Sequence, residues 1–143
     1  MTSEFTIALH ALVFLNHHDK TMTSDEIAVN VCTNPARVRK VLSKLKKSDL
    51  LETREGSRDG GYRFHHKSES VTLLMVYQAL HERIISNSWH SGSMDIGCLI
   101  SSNMAAIMDD IVLELDEACR NKLSEITIKD VNDKIFGKRG IEV

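Results

Sequence analysis

The sequence predicts a mainly α fold with a small β-hairpin wing: a winged helix-turn-helix followed by a long dimerisation helix. Three observations predict it. Apolar residues recur at helical spacing through most of the 143 residues, with a single proline among them. Two short helical segments are joined by the tight connection Val31-Cys32-Thr33-Asn34. Two strand-like runs then flank the turn-rich stretch Glu55-Gly56-Ser57-Arg58-Asp59-Gly60-Gly61.

The first helix is expected from about Ser3 to Asn16. Phe5, Ala8, Leu9, Leu12 and Leu15 form one stripe and Ile7, Ala11 and Phe14 a second. Two stripes need two packing partners: the local core, and either the carboxy-terminal half or a second subunit. Thr23 followed by Glu26 reads as a capping box opening a short helix with Ile27, Ala28 and Val31 inward. Asn34 suits an N-cap and Pro35 a first helical position, so a further helix begins there with Val38, Val41, Leu42 and Leu45 on its core stripe. Leu50 to Arg54 and the alternating Tyr62, Phe64 and His66 make the hairpin. Thr72 caps a helix with Leu73, Val76, Tyr77 and Leu80 inward, and residues 86–97, rich in Ser, Gly and Asn, read as a loop. From Leu99 to about Lys122, Ile100, Met104, Ile107, Ile111, Leu115 and Ala118 step by four and three along a helix too long for a small domain, which suits dimerisation. Thr127 caps a last helix to about residue 136, and the tail from Gly137 is expected to fray. Residues 1–66 form the DNA-binding domain in this reading, and residues 67–143 the sensor and dimerisation region.

The net charge of −2 is unevenly spread. Residues 1–66 carry ten Lys/Arg against eight Asp/Glu, residues 67–143 eight against twelve. Between Thr33 and Ser48 lie six bases and no acid, which concentrates positive potential on one segment. Placing Val38, Val41, Leu42 and Leu45 inward turns Ala36, Lys40, Ser43 and Lys47 outward, with Arg37, Arg39 and Lys44 on the flanks. In a helix-turn-helix the start of the second helix enters the major groove. Arg37 and Lys40 are therefore the candidates for base edges, and Arg39, Lys44, Lys46 and Thr33 for phosphates. The candidate DNA-binding set is Thr33, Asn34, Pro35, Ala36, Arg37, Arg39, Lys40 and Lys44, with Arg58, Gly60, Gly61 and Tyr62 from the wing. Double-stranded DNA is the expected partner.

No apolar run reaches bilayer length and the amino terminus has no signal-type segment, so a cytoplasmic protein without membrane contact is expected. Cys32, Cys98 and Cys119, odd in number and widely spaced, fit a reducing compartment, where a disulfide would be regulatory. Cys98 opens the long helix, where unpaired amides favour a thiolate, and Cys32 sits in the turn before the recognition helix. They form a candidate redox switch, against the plainer reading of three small apolar fillers. His17-His18 and His65-His66 are not expected to bind metal, because neighbours in a strand face apart. Trp89 could anchor the loop or shape an effector site. No phosphate loop or acid pair supports an enzyme, and a winged helix used only for protein contacts is the closer alternative.

The stretch Thr33-Asn34-Pro35-Ala36-Arg37-Val38-Arg39-Lys40, the Leu-Lys-Lys of Leu45 to Lys47 and the wing Gly-x-x-x-Gly-Gly-Tyr of Gly56 to Tyr62 resemble the Rrf-two family of bacterial winged-helix regulators. That family includes repressors of iron-sulfur cluster assembly, nitric-oxide response and cysteine metabolism. The resemblance covers residues 1 to about 136 and implies a homodimer, a long dimerisation helix matching Leu99–Lys122, and a palindromic operator. Cluster-binding members carry three closely spaced cysteines before and at the start of that helix, whereas this chain has only Cys98 there. A 2Fe-2S cofactor, which takes four ligands, is therefore not expected, and iron-sulfur or small-molecule sensing stands as the alternative to a thiol switch.

Overall fold

The computed structural model describes residues 1–56, 58 and 60–137; Ser57 and Asp59 of the wing tip and the tail beyond Gly137 lie outside the described residues. The chain forms two compact units, Met1–Glu82 with the chain from Leu123 onward, and Arg83–Lys122. The expected boundary at residue 66 falls inside the first of these.

In the first unit, each helix starts where a side chain satisfies its free amides. Thr2 caps α1 (Ser3–His18), accepting a hydrogen bond from the Phe5 amide. Thr23 and Glu26 form the capping box of α2 (Ser24–Val31). Asn34 Oδ1 accepts from the Arg37 amide at 2.8 Å, and Pro35 opens α3 (Pro35–Lys47). Cys32 ends α2 in the left-handed region (φ 63°) and sets the sharp turn into α3. Val38, Val41, Leu42 and Leu45 of α3 are all fully buried. Each contributes about 1.5 to 3 kcal/mol, enough together to fix which face of α3 remains outside.

The wing pairs β1 (Glu52–Arg54) antiparallel to β2 (Gly61–Arg63), with Thr53 opposite Tyr62. Tyr62 also exchanges backbone hydrogen bonds with Met22, at 2.9 and 2.8 Å, which ties the hairpin to the connection before α2. Both strands are shorter than expected. Leu50 and Leu51 are both buried, so the chain does not alternate there, and the Leu50 amide closes α3 on the Leu45 carbonyl. At the other end β2 stops at Arg63. His65 and His66 therefore lie beyond the strand and do not face apart: their ring centroids are 4.1 Å from each other.

A 3₁₀ turn (Ser68–Ser70) leads to α4 (Leu73–Ala79), capped by Thr72. The end of α5 (Leu99–Glu125) returns through buried Leu123 to α6 (Ile128–Phe136), where the Leu73 amide donates to the Ile126 carbonyl and the Ile128 amide to the Val71 carbonyl. Thr127 caps α6 reciprocally with Asp130. Of the second stripe expected on α1, Ile7 and Ala11 are buried in the core, and only Phe14 faces α6, beside Leu9 from the first stripe and Val13. His17 stacks on Phe136 at 4.2 Å, and Leu9, Val13 and Phe14 line an apolar groove of about 450 Å³ with Val131 and Ile135.

The second unit is irregular from Arg83 to Cys98 and then forms most of α5. His90 Nε2 lies 2.7 Å from Asp109 Oδ1, and the Ser93 amide donates to Ser101 Oγ, so His90 anchors the loop while Trp89 is exposed. Along α5 the apolar positions Ile100, Ile107, Ile111 and Leu115 stay exposed in the single chain, at 43 to 70 %. No helix among the described residues is long and apolar enough to cross a membrane.

Candidate nucleic-acid interface

With the core stripe of α3 buried, Ala36, Arg37, Arg39 and Lys40 are exposed on the first two turns of that helix, and Thr33 and Pro35 are half-buried at its entry. The Asn34 side chain is engaged as the cap. The exposure of Ala36, Arg37, Arg39 and Lys40 around a buried stripe follows the helical spacing of the sequence. On the wing, Arg58 is exposed at the tip, and Gly60, Gly61 and Tyr62 are half-buried.

The two glycines also have a clear scaffold role. A Cβ on Gly61 would stand 2.3 Å from the Met22 carbonyl oxygen, and one on Gly60 would stand 2.2 Å from that of Gly56. Neither position has room for a side chain.

Three residues of the basic surface have partners on α1 that no local sequence pattern signals. Glu4 receives Lys44 Nζ at 2.7 Å and Lys40 Nζ at 3.2 Å, and the Arg37 guanidinium donates to Ser3 Oγ. Arg39 reaches Ser24 Oγ at 3.4 Å. Nothing local in the sequence signals the Glu4 contacts, since the partners lie about one helical domain apart in the chain; Glu4 alone reads as an ordinary acid in a first helical turn. Lys44 is the more enclosed lysine, its side chain 30 % exposed against 68 % for Lys40. Lys44 is thus part of the α1–α3 packing, while Lys40 is free to swing outward.

The hydrogen bond from Lys44, opposed by burial and aided by Lys40, holds the Glu4 carboxyl below its ordinary value. A carboxyl depressed in the folded state stabilises it at pH above the unfolded value, and that contribution is lost as pH falls through the folded value. Wild type is therefore expected to melt higher than Glu4→Gln at neutral pH, with the gap closing as pH drops below 4.5. Melting curves of both proteins across this range check it.

Cys32, Cys98 and Cys119 are free thiols, the first two exposed. The backbone amides of Ser101 and Ile100 hold the Cys98 thiol below its ordinary value. Cys119 lies 21 residues further along the same helix, about 30 Å away at 1.5 Å per residue, and cannot share a ligand set with Cys98 within one chain. With no second cysteine beside Cys98, the three thiols of one chain fall short of the four thiolates that an iron-sulfur cluster commonly takes.

Comparison with known proteins places this arrangement. The family model Rrf2, described as an iron-dependent transcriptional regulator, matches residues 1–134. The HTH-type transcriptional regulator YwnA of Bacillus subtilis (strain 168) is 29% identical over 136 residues, covering 95% of this chain and 99% of that protein. Among solved structures, a transcriptional regulator from Lactobacillus plantarum superposes with a TM-score of 0.84 at 24% identity, covering 98% of this chain and 93% of the other. IscR of T. potens superposes with a TM-score of 0.73 at 12% identity, covering 100% and 93%. The chain belongs to the Rrf2 family and is a DNA-binding transcriptional regulator, not an enzyme.

Proposed function

We propose that the protein is a homodimeric repressor that reads a palindromic operator with α3 and the wing of each protomer, and releases it when Cys98 and Cys32 are oxidised. The observation that carries the operator reading is the exposed face of α3, where Arg37 and Lys40 stand clear of a fully buried core stripe. The exposed apolar stripe of α5 supports a dimer, because a second copy would cover area that a soluble chain seldom leaves open. A twofold dimer binds two half-sites related by the same symmetry.

The thiol step rests on two exposed cysteines in useful places. The backbone amides of Ser101 and Ile100 favour the thiolate form of Cys98 at the start of α5. Cys32 occupies the left-handed residue that sets the entry of α3, so a bond to its sulfur acts on the presentation of that helix. Joining the two thiols releases two protons and two electrons, which hypochlorite accepts in becoming chloride and water.

The test combines sedimentation, operator binding and non-reducing electrophoresis, before and after hypochlorite or diamide, in wild type, Cys98→Ser and Cys32→Ser. A dimer whose operator affinity falls at least tenfold on oxidation, with recovery by thiol and loss of the response in both variants, is expected. A monomer overturns the dimer, and unchanged binding without a thiol-reversible bond overturns the switch.

A further inference from the structure

We propose that Asp49, His65 and His66 form a site for a divalent transition-metal cation of the zinc class at the junction of α3 and the wing. Their ligand atoms all lie within 4.8 Å of one another. His65 Nε2 is 3.3 Å from Asp49 Oδ1. Two ligands of a tetrahedral zinc ion, with bonds of about 2.0 to 2.1 Å, stand roughly 3.3 Å apart, so this pair is already at bonding separation. Two imidazoles with one carboxylate favour zinc and its transition-metal neighbours over magnesium or calcium, which prefer all-oxygen sets.

The supports are fixed. Asp49 follows α3 in the left-handed region (φ 58°), its amide bonded to the Lys46 carbonyl at 3.0 Å. The histidines follow Phe64, whose ring is buried. His66 Nε2 donates to the Asp49 backbone carbonyl. That bond sets the tautomer and leaves Nδ1 with its lone pair, the form in which a ligating histidine is usually held. The contact with the Asp49 carboxylate places the His65 ring and the bond to the Asp49 carbonyl places the His66 ring, so both imidazoles stand together at one residue, their centroids 4.1 Å apart. The Asp49 side chain is 85 % exposed, so water completes the coordination and the cation has free access.

A cation here ties the base of the wing to the end of the recognition helix. The test is zinc binding by the intact, phosphine-reduced chain in competition with a chromophoric chelator, with magnesium as the hard-cation control. One zinc per chain is expected to be weakened about 100-fold in His65→Gln/His66→Gln and about tenfold in Asp49→Asn, but not in His17→Gln/His18→Gln. Asparagine also tolerates the left-handed conformation, so Asp49→Asn removes the charge and keeps the turn. Far-UV circular dichroism and zinc-free duplex binding check that each variant folds. Cobalt(II) substitution should give ligand-field bands without thiolate charge transfer. Zinc binding unaltered by the variants, a thiolate-dominated cobalt spectrum, equal binding of magnesium, or no zinc uptake would each overturn the site.

Discussion

Replacing Arg37 and Lys40 together by alanine is expected to weaken operator binding by roughly 100-fold or more while leaving the fold intact. Each is exposed on α3 with its Cα near the helix start, where a side chain reaches base edges. A good bidentate contact contributes about 1 to 3 kcal/mol, and 1.4 kcal/mol is tenfold in affinity. The variant leaves Glu4 paired with Lys44, so the α1–α3 packing is kept. Fluorescence anisotropy over a range of salt concentrations separates the roles. Loss of discrimination between operator and unrelated duplex marks base contacts. An equal loss on every sequence, with a shallower salt dependence, marks phosphate contacts. Arg39→Ala is the companion: it should reduce affinity uniformly and lower the salt slope by about one.

Gly61→Ala is expected to destabilise the protein by about 3 kcal/mol, lowering its melting temperature by roughly 10 °C. Two costs add. At φ +147° a side chain is strained, and the new methyl would meet the Met22 carbonyl at 2.3 Å. That carbonyl accepts the Tyr62 amide, so relief of the clash breaks the bond between the wing and the start of α2. Gly56→Ala is the internal comparison. Gly56 also has a positive φ, 138°, but nothing within 4 Å of an added Cβ, so it should show the backbone strain alone. Equal melting temperatures for the two variants would contradict the close approach at Gly61.

The parts of the fold that were legible in the sequence are those decided by neighbours in the chain. Thr23, Asn34, Thr72 and Thr127 each cap a helix because their side chains bond an amide three residues on, which sequence spacing alone reveals. The α3 core stripe and its basic outer face follow from a 3.6-residue period. What stayed hidden depends on long-range geometry. The bridge from Met22 to Tyr62 and the Glu4 contacts join segments about 40 residues apart, with no local pattern to mark them. His65 and His66 were misjudged because the alternation of Tyr62, Phe64 and His66 continues past the point where strand pairing ends at Arg63. The helix α5 runs on to Glu125 because Leu123 in its last turn is buried, a position off the stripe that steps from Ile100 to Ala118.

The carboxylate that holds Lys40 and Lys44 acts as a built-in counter-ion. DNA binding draws much of its free energy from counter-ions released from the duplex, about 0.9 for each phosphate neutralised. A lysine already paired inside the protein must give up that partner before it displaces anything from DNA. On the proposed reading of α3, its six basic residues would act as fewer on arbitrary sequence, which would lower the background of non-specific binding. At a matching site, contacts to the bases would offset the exchange and free Lys40 for the duplex while Glu4 keeps Lys44. One acid on the first helix would thus widen the contrast between operator and bulk genome without touching a base.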